Sequence, residues 1–353
     1  MKILQVIARL DSGGAERVFV DTCNMLYENG NNVNILFTRS PGILHSEVNP
    51  KIPYISLDRK NRFSFLSIYR MSQIIINYDI IHVHLRYNLL YLKCALFFTK
   101  KCSAKIIFHD HYGPQELEDN IPFYFNLIKK NFLYVGVSES LSNWAIDTLK
   151  MNKNNVKTLP NIRLINNINT SSRDVGPGTL RLVHVSNIHP IKNLEFSLEI
   201  VRRLNKSKDV HLTIYGNKSD EEYYSRLINL INDYKISDKV DFVFDENNIP
   251  SILDRYDFGL YTSKSESGPL VVIEYLSQGL PFITYETGEV IEQIKEILPF
   301  TVMKSFDIDE WSHQIEKVLS LDISDKLTET FKNIFSPDNY CKKLIDIYNT
   351  ELK

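Results

Sequence analysis

FGLYTSKSESGPLVVIEYLSQGLPFIT, residues 258–284, reads as strand, polar turn, helix and strand. Phe258–Tyr261 is a short apolar run bounded by turn residues, as a buried strand is. Thr262–Ser267 forms the turn, and Pro269 suits a first helical turn, where its missing N–H would be unpaired anyway. The helix runs over Pro269–Gln278 and the chain returns to a strand at Pro281–Thr284. Strands alternating with helices argue a parallel sheet covered on both faces.

The same alternation extends in both directions. Upstream lie strand Leu180–Val185, helix Leu194–Leu204, strand His211–Tyr215, helix Glu221–Asp233, strand Val240–Phe244 and helix Ile249–Tyr256. Leu194, Leu198, Val201 and Leu204 share one helical face, so that helix packs on the sheet. The front half repeats the pattern with strands at Lys2–Ala8, Asn32–Thr38, Ile52–Leu57, Ile80–Leu85, Lys105–His109, Tyr134–Val137 and Val156–Leu159. Helix-like segments lie between them, among them Ala15–Asn29 with a wide apolar face of Val18, Val20, Cys23, Met25 and Leu26. Arg163–Thr179, RLINNINTSSRDVGPGT, is rich in Asn, Ser, Thr, Gly and Pro and reads as a linker. The expected organisation is two doubly wound α/β domains, residues 1–165 and 166–335, closed by a helix in 336–353 that packs back toward the first domain with Tyr340, Leu344, Ile345 and Tyr348 on one side. A ligand is expected between the domains, at the C-terminal ends of the strands.

Net charge is −2 over 353 residues, but residues 1–165 hold 20 Lys+Arg and 13 Asp+Glu while the remainder holds 21 and 30. A basic half joined to an acidic half implies different partners and excludes a uniformly basic nucleic-acid coat. Cys23, Cys94, Cys102 and Cys341 form no CxxC pair, so neither a zinc site nor a disulfide framework is indicated, which fits a reducing compartment. MKILQVIARLDSGG has one Lys and a short apolar run ending at Asp11, so it reads as a first strand and not a signal peptide. The longest apolar stretch, Asn88–Thr99, is interrupted by Lys93 and too short to span a bilayer. A cytoplasmic protein, soluble or peripheral at the inner face of a membrane, is the expectation.

Four features could carry chemistry. Glu266 lies on the loop after a strand and Glu274 between one and two turns into the next helix, so both carboxylates can reach one crevice beside free N–H groups around Gly268, Pro269, Leu270 and Val271. A helix start attracts a phosphate, whereas carboxylates repel one unless they bind the hydroxyls of an attached sugar. The alternative is that Glu266 caps the helix and Glu274 is solvated. Lys192 follows Asn187-Ile188-His189-Pro190-Ile191 near a helix start, where the dipole disfavours a cation unless an anion is bound; an ordinary exposed Lys is the alternative. Gly13-Gly14 lets the backbone approach a ligand or merely turn tightly, and it lacks GxGxxG spacing, which disfavours a dinucleotide. His82 and His84 alternate on one strand while His109, Asp110 and His111 end another. A metal, hydrogen bonding to a substrate and a structural role all stay open, the metal least supported because the cluster lacks a spaced third ligand.

In order along the chain these segments resemble the retaining glycosyltransferases of family 4. The resemblance rests on GGAERV at 13–18, IIFHDH at 106–111, VSES at 137–140, LPN at 159–161, the Lys192 segment, TIYG at 213–216 and ESGPLVVIEYLSQGLP at 266–281. It implies a GT-B fold of two Rossmann-like domains facing across a cleft, the first binding acceptor and the second the nucleotide-sugar donor. By the resemblance, Gly13 and Gly14 lie against the donor diphosphate and the acceptor, and His109 bonds the transferred sugar. Lys192 neutralises the leaving diphosphate with backbone amides near Gly268–Val271. Glu266 contacts sugar hydroxyls beside the anomeric carbon, and Glu274 holds the ribose. His84, Arg86 and Tyr112 are expected toward the acceptor. Many members carry Arg five residues before that Lys; here Asn187 stands there, with His189 and Arg86 as candidates to offset it.

The activity so implied is transfer of a hexose-type unit from a UDP- or GDP-linked sugar to a glycan or lipid-linked acceptor in polysaccharide or lipopolysaccharide assembly. Configuration is retained, with neither metal nor cofactor and no nucleic acid as partner. Arg59, Lys60, Arg62, Lys100, Lys101, Lys105, Lys129 and Lys130 lie among Phe63, Phe65, Phe97, Phe98, Phe123, Tyr124 and Phe125. Such a mixture suits an anionic membrane surface or lipid pyrophosphate, or else solvated faces over core aromatics. A sugar-nucleotide epimerase and a catalytically silent sugar-nucleotide-binding partner are the rival readings.

Overall fold

The apolar runs of the first half form seven parallel strands: β1 (Lys2–Ile7), β2 (Asn32–Phe37), β3 (Tyr54–Ser56), β4 (Ile80–His84), β5 (Lys105–Asp110), β6 (Leu133–Gly136) and β7 (Val156–Thr158). Helices α1 (Gly14–Glu28), α2 (Phe65–Ile75), α3 (Arg86–Phe97) and α4 (Glu139–Asp147) lie between them in sequence. The strand order is β3-β2-β1-β4-β5-β6-β7, so the chain crosses from one side of β1 to the other after β3. All five residues of β4 are buried, as a central parallel strand covered on both faces requires. The computed structural model describes residues 1–61, 64–99, 102–112, 132–165, 168, 178–246 and 248–352. Arg62, Phe63, Lys100, Lys101, Phe123, Tyr124, Phe125, Lys129, Lys130 and most of the expected linker lie outside them.

The second half forms β8 (Leu180–Val185), α5 (Leu194–Leu204), β9 (Val210–Tyr215), α6 (Glu221–Tyr234), β10 (Val240–Val243), β11 (Phe258–Tyr261), α7 (Leu270–Ser277), β12 (Phe282–Tyr285), α8 (Glu289–Ile294), β13 (Val302–Met303), α9 (Ile308–Leu319) and α10 (Ser324–Ile334). Its strands are parallel in the order β10-β9-β8-β11-β12-β13, the doubly wound order with its reversal between β8 and β11. The expected α-helix at Ile249–Tyr256 is instead a 3₁₀ run, Ile249–Arg255. Pro250 removes a donor at its start, and the tighter coil rises about 2.0 Å per residue, which suits so short a connection. Pro269 is not the first helical residue but precedes α7 in extended backbone, φ −68° and ψ 110°. Gly216 ends β9 at φ +149°, where a Cβ would stand 2.0 Å from the Ser186 carbonyl oxygen, so the two loops leaving β8 and β9 meet only because it is glycine.

The last helix, α11 (Pro337–Leu352), belongs with the first half: the chain divides into Met1–Leu164 with Pro337–Lys353, and Ile165–Ser336. α11 buries Tyr340, Cys341, Leu344 and Tyr348, whereas Ile345 is only partly covered. Tyr340 lies with its hydroxyl 3.4 Å from Thr22 Oγ1 of α1. The four cysteines are free thiols, and among the described residues no helix is long and apolar enough to cross a membrane.

Candidate functional site

The second unit concentrates its polar groups where strand order reverses, since chains leaving β8 and β11 diverge there and open a crevice at their C-terminal ends. The loop after β8 carries Asn187 to Asn193 and the loop after β11 carries Thr262 to Pro269. They are laced together. The Lys264 amide donates to the Ile191 carbonyl (2.8 Å), and Thr262 Oγ1 lies 3.0 Å from the carbonyls of both Lys192 and Asn193. Asn193 takes the left-handed conformation (φ 53°), which Asn tolerates, and aims the Lys192 segment away from α5.

With its backbone fixed this way, Lys192 Nζ forms an ion pair with Glu266 Oε1. The same oxygen accepts from the Tyr261 hydroxyl (2.7 Å) and Ser263 Oγ (2.8 Å), so three donors converge on it. The Glu266 amide donates to Thr287 Oγ1 (3.1 Å) and the Glu289 amide to the Ser267 carbonyl (2.7 Å), which pins the loop from the β12 side. Gly288 sits there at φ +86°, and a Cβ on it would come within 2.9 Å of Pro269 Cδ and 3.1 Å of Glu266 Cβ. No side chain caps α7, and Glu274 within it is buried. Both bland alternatives therefore fail: Glu266 is not a cap, and Glu274 is not solvated. Nor is Lys192 an ordinary exposed lysine, for its side chain is only 20% accessible. His184, beneath this loop, is held by Ser197 Oγ (2.9 Å), which also meets Thr262 Oγ1 (3.0 Å). Burial, with the Lys192 charge adding to it, drops the His184 pKa to about 3, so it is neutral. Asn187 is exposed and accepts from the Asn217 amide (3.4 Å), while His189 caps the 3₁₀ turn Pro190–Lys192.

In the first unit the histidines gather on β4 and β5. His84 stands opposite His109 in the register, and His82, His84 and His109 are all buried. His84 Nε2 lies 3.1 Å from Gln5 Oε1, an acceptor, so the imidazole proton sits there and Nδ1 accepts from His111 Nε2 (3.0 Å). Gln5 Nε2 donates to the Tyr348 hydroxyl (3.0 Å), which gives its own proton to His82 Nδ1 (2.7 Å). This chain requires neutral rings. Burial lowers all four pKa values, those of His82 and His111 to about 3, and on His84 and His109 the neighbouring imidazoles add to the effect. Among the described residues His82 Nε2 is buried without a hydrogen-bond partner, and the His109 ring meets only the Leu159 backbone. Nitrogens of His82, His84 and His109 lie within 4.8 Å of one another, the right number for a metal. Tetrahedral zinc holds its nitrogens roughly 3.4 Å apart, however, and both His84 nitrogens are engaged. The three rings form a buried polar cluster on β4 and β5.

Arg86 is not a spare cation. Its guanidinium pairs with Asp110 (Nη2 to Oδ2, 2.8 Å), which also accepts from Tyr134 (2.8 Å), and it stacks over Tyr112 and Trp144. Gly13 precedes α1 in extended backbone and Gly14 begins it; no side chain caps this helix either. Thus Asn187, Lys192, Glu266 and the start of α7 are gathered in one unit, and Gly13, Gly14, His84, Arg86, His109 and Tyr112 belong to the other. Sequence reasoning missed Tyr261, Ser263, Thr287 and Gly288, which hold Glu266. The available signal was hydroxyls at the ends of two neighbouring strands.

Two doubly wound parallel sheets with ligating groups at the strand reversal define the GT-B class. Anabaena Alr3699/HepE, solved in complex with UDP and glucose, matches 99% of this chain and 99% of its own at a TM-score of 0.82 and 17% identity. Residues 12–162 match Glycosyltransferase Family 4 and residues 172–334 match Glycosyl transferases group 1, leaving unmatched only 1–11, 163–171 and 335–353. The chain belongs to the family 4 glycosyltransferases. It is 25% identical to the N-acetyl-alpha-D-glucosaminyl L-malate synthase of Bacillus anthracis, over 62% of this chain and 59% of that protein. It is 22% identical to the O-antigen biosynthesis glycosyltransferase WclY of Escherichia coli, over 70% and 63%. The chain thus spans about three fifths of the length of these relatives.

Proposed function

We propose that this protein is a retaining glycosyltransferase that moves a hexose-type unit from a nucleoside-diphosphate sugar to a glycan or lipid-linked acceptor during cell-surface polysaccharide assembly. The observation that carries this reading is the Lys192–Glu266 pair at the β8/β11 reversal, with its carboxylate held by Tyr261 and Ser263. A departing diphosphate needs positive charge fixed before the reaction begins, because a dipole already in place costs no reorganisation in the transition state. Lys192 supplies that charge, and the uncapped start of α7 adds the N–H groups of Leu270 and Val271. As the diphosphate takes up Lys192, Glu266 turns to the hydroxyls of the sugar beside the anomeric carbon. Glu274 takes the ribose hydroxyls and His109 a hydroxyl of the transferred sugar. No step requires a metal. A fold neighbour solved with UDP and glucose and a relative named for O-antigen biosynthesis support a nucleoside-diphosphate sugar donor and a glycan product.

The test is incubation with UDP- and GDP-sugars and candidate lipid-linked and free glycans, read by mass spectrometry. Transfer by the wild type and its loss in Glu266→Ala, with an unchanged melting curve, are expected; wild-type turnover by that variant would sink the assignment. One observation favours the silent-partner reading: Asn187 offers an amide bonded to the β9 loop where a second cation would strengthen the diphosphate site. Tight nucleotide-sugar binding without turnover on any acceptor would decide for it.

A further inference from the structure

The outward face of α2 is built the wrong way round for water. Ser67 and Ser72 point inward and are buried, Ser67 bonded to Ser64 Oγ (2.9 Å) and Ser72 to the Tyr69 carbonyl (2.7 Å). Phe65, Leu66 and Tyr69, one helical turn in all, are exposed at 65%, 69% and 50%. The end of α3 continues the surface: Phe97 is 86% exposed, and Phe98 stands 5.2 Å from the Phe65 ring and 5.6 Å from that of Phe97. Single exposed apolar residues are ordinary, but a contiguous aromatic patch is not.

Charge singles out the same place. Residues 58–105 carry nine Lys+Arg against Asp58 and Asp79; Arg86 among them is buried against Asp110, and Arg62, Lys100 and Lys101 lie outside the described residues, so the cations placed beside the patch are Lys60 and Arg70. Asp58 accepts from Ser56 Oγ and Asp79 from the Lys2 amide, and neither lies on α2 or α3. Arg70 shares the exposed side of α2 with Leu66 and Tyr69, and Lys60 is exposed just before the helix.

We propose that this surface, Phe65, Leu66, Tyr69, Phe97 and Phe98 with Lys60 and Arg70, docks on an anionic phospholipid bilayer. The rings enter the headgroup region while the cations meet lipid phosphates at its edge, the division of labour of an interfacial amphipathic helix. The segment lies on the surface and does not span it. This proposal stands apart from sugar transfer, because vesicle binding reads the surface whether or not the chain turns over.

The experiment is co-sedimentation of the full chain with phosphatidylcholine vesicles, with and without phosphatidylglycerol, alongside sedimentation velocity without lipid. The wild type should bind phosphatidylglycerol vesicles, bind plain phosphatidylcholine far less, and lose affinity as salt rises. Phe65→Ser with Phe97→Ser should lower partitioning at least about tenfold. Lys60→Glu with Arg70→Glu should lower it about fivefold or more for each charge removed, and tests the proposal independently if the serine variant folds poorly. Absence of wild-type binding to phosphatidylglycerol vesicles, or unchanged binding in both variants, overturns the proposal. So does a wild-type dimer that the serine variant breaks, which would make the patch an interface between copies of the chain.

Discussion

At Glu266 one carboxylate oxygen receives an ammonium and two hydroxyls, and this crowding decides what substitutions there should do. Hydrogen bonds to a charged group are worth about 1.5–3 kcal/mol each. Tyr261→Phe removes one donor yet keeps the ring in the core, so kcat in the proposed transfer should fall about tenfold or more while the melting temperature falls by a few degrees and the fold stays intact. Steady-state kinetics beside thermal melting check this, and an equal rise in KM at unchanged kcat would instead assign Tyr261 to ground-state binding. Lys192→Ala should cost more, about 10²–10³ in kcat, since it removes the charge that balances the leaving diphosphate. Lys192, Glu266 and Glu274 could be singled out in the sequence as charges near a strand end or within the following helix, but their proposed roles came only from the resemblance to family 4. Tyr261, Ser263 and Thr287 could not be singled out. A hydroxyl after a buried strand looks like any turn residue until the register brings β8, β11 and β12 side by side.

Among elements, α11 has the most distant reach. It leaves the second unit at Pro337 and carries Tyr348 to β4, 266 residues away in sequence, where the hydroxyl fixes which nitrogen of His82 bears the proton. Tyr348→Phe leaves His82 Nδ1 and the Gln5 amide without this partner in a buried site, at a cost of about 1–3 kcal/mol. Thermal melting should show it, and an unchanged melting temperature would mean that water replaces the hydroxyl. Periodicity announced α11 and its buried stripe, while its packing back toward the first half was expected from the resemblance alone, because amphipathic spacing says which face is covered and nothing about by what. The same limit separated the strands from their surroundings: β8 and β11 were read to the residue, while the two-residue β13 is too short for alternation to register. At Ile249–Arg255 the apolar pattern suggested an α-helix, and the short span to β11 with Pro250 gave a 3₁₀ turn.

Across the whole molecule the buried histidines are unevenly placed, and acid should expose that. His82, His84, His109 and His111 lie in the first unit and His184 in the second, all kept neutral by burial. Their folded pKa values are depressed, to about 3 where a figure can be given, against about 6.5 in an unfolded chain. The unfolded state therefore binds more protons below pH 6.5, so stability is fully present above that pH and is lost as pH falls toward 3. Each such histidine costs about 1.4 kcal/mol per pH unit across that window. Asp21 works the other way. Burial raises its carboxyl to about 6 against the opposing pull of the Arg163 guanidinium, so the folded state gains protons there between pH 6 and the ordinary carboxylate range. Burial raises the Glu16 carboxyl as well, yet two such carboxyls in the first unit do not cancel four histidines, and the first unit should unfold at higher pH than the second. The two tryptophans report on this separately, Trp144 in the first unit and Trp311, fully buried, in the second. Fluorescence of Trp311→Phe and Trp144→Phe variants, titrated from pH 7 to 3, should show the Trp144 transition first. Coincident transitions would mean that the units unfold as one body, and a Trp311 signal moving first would remove the histidines as the cause of acid lability.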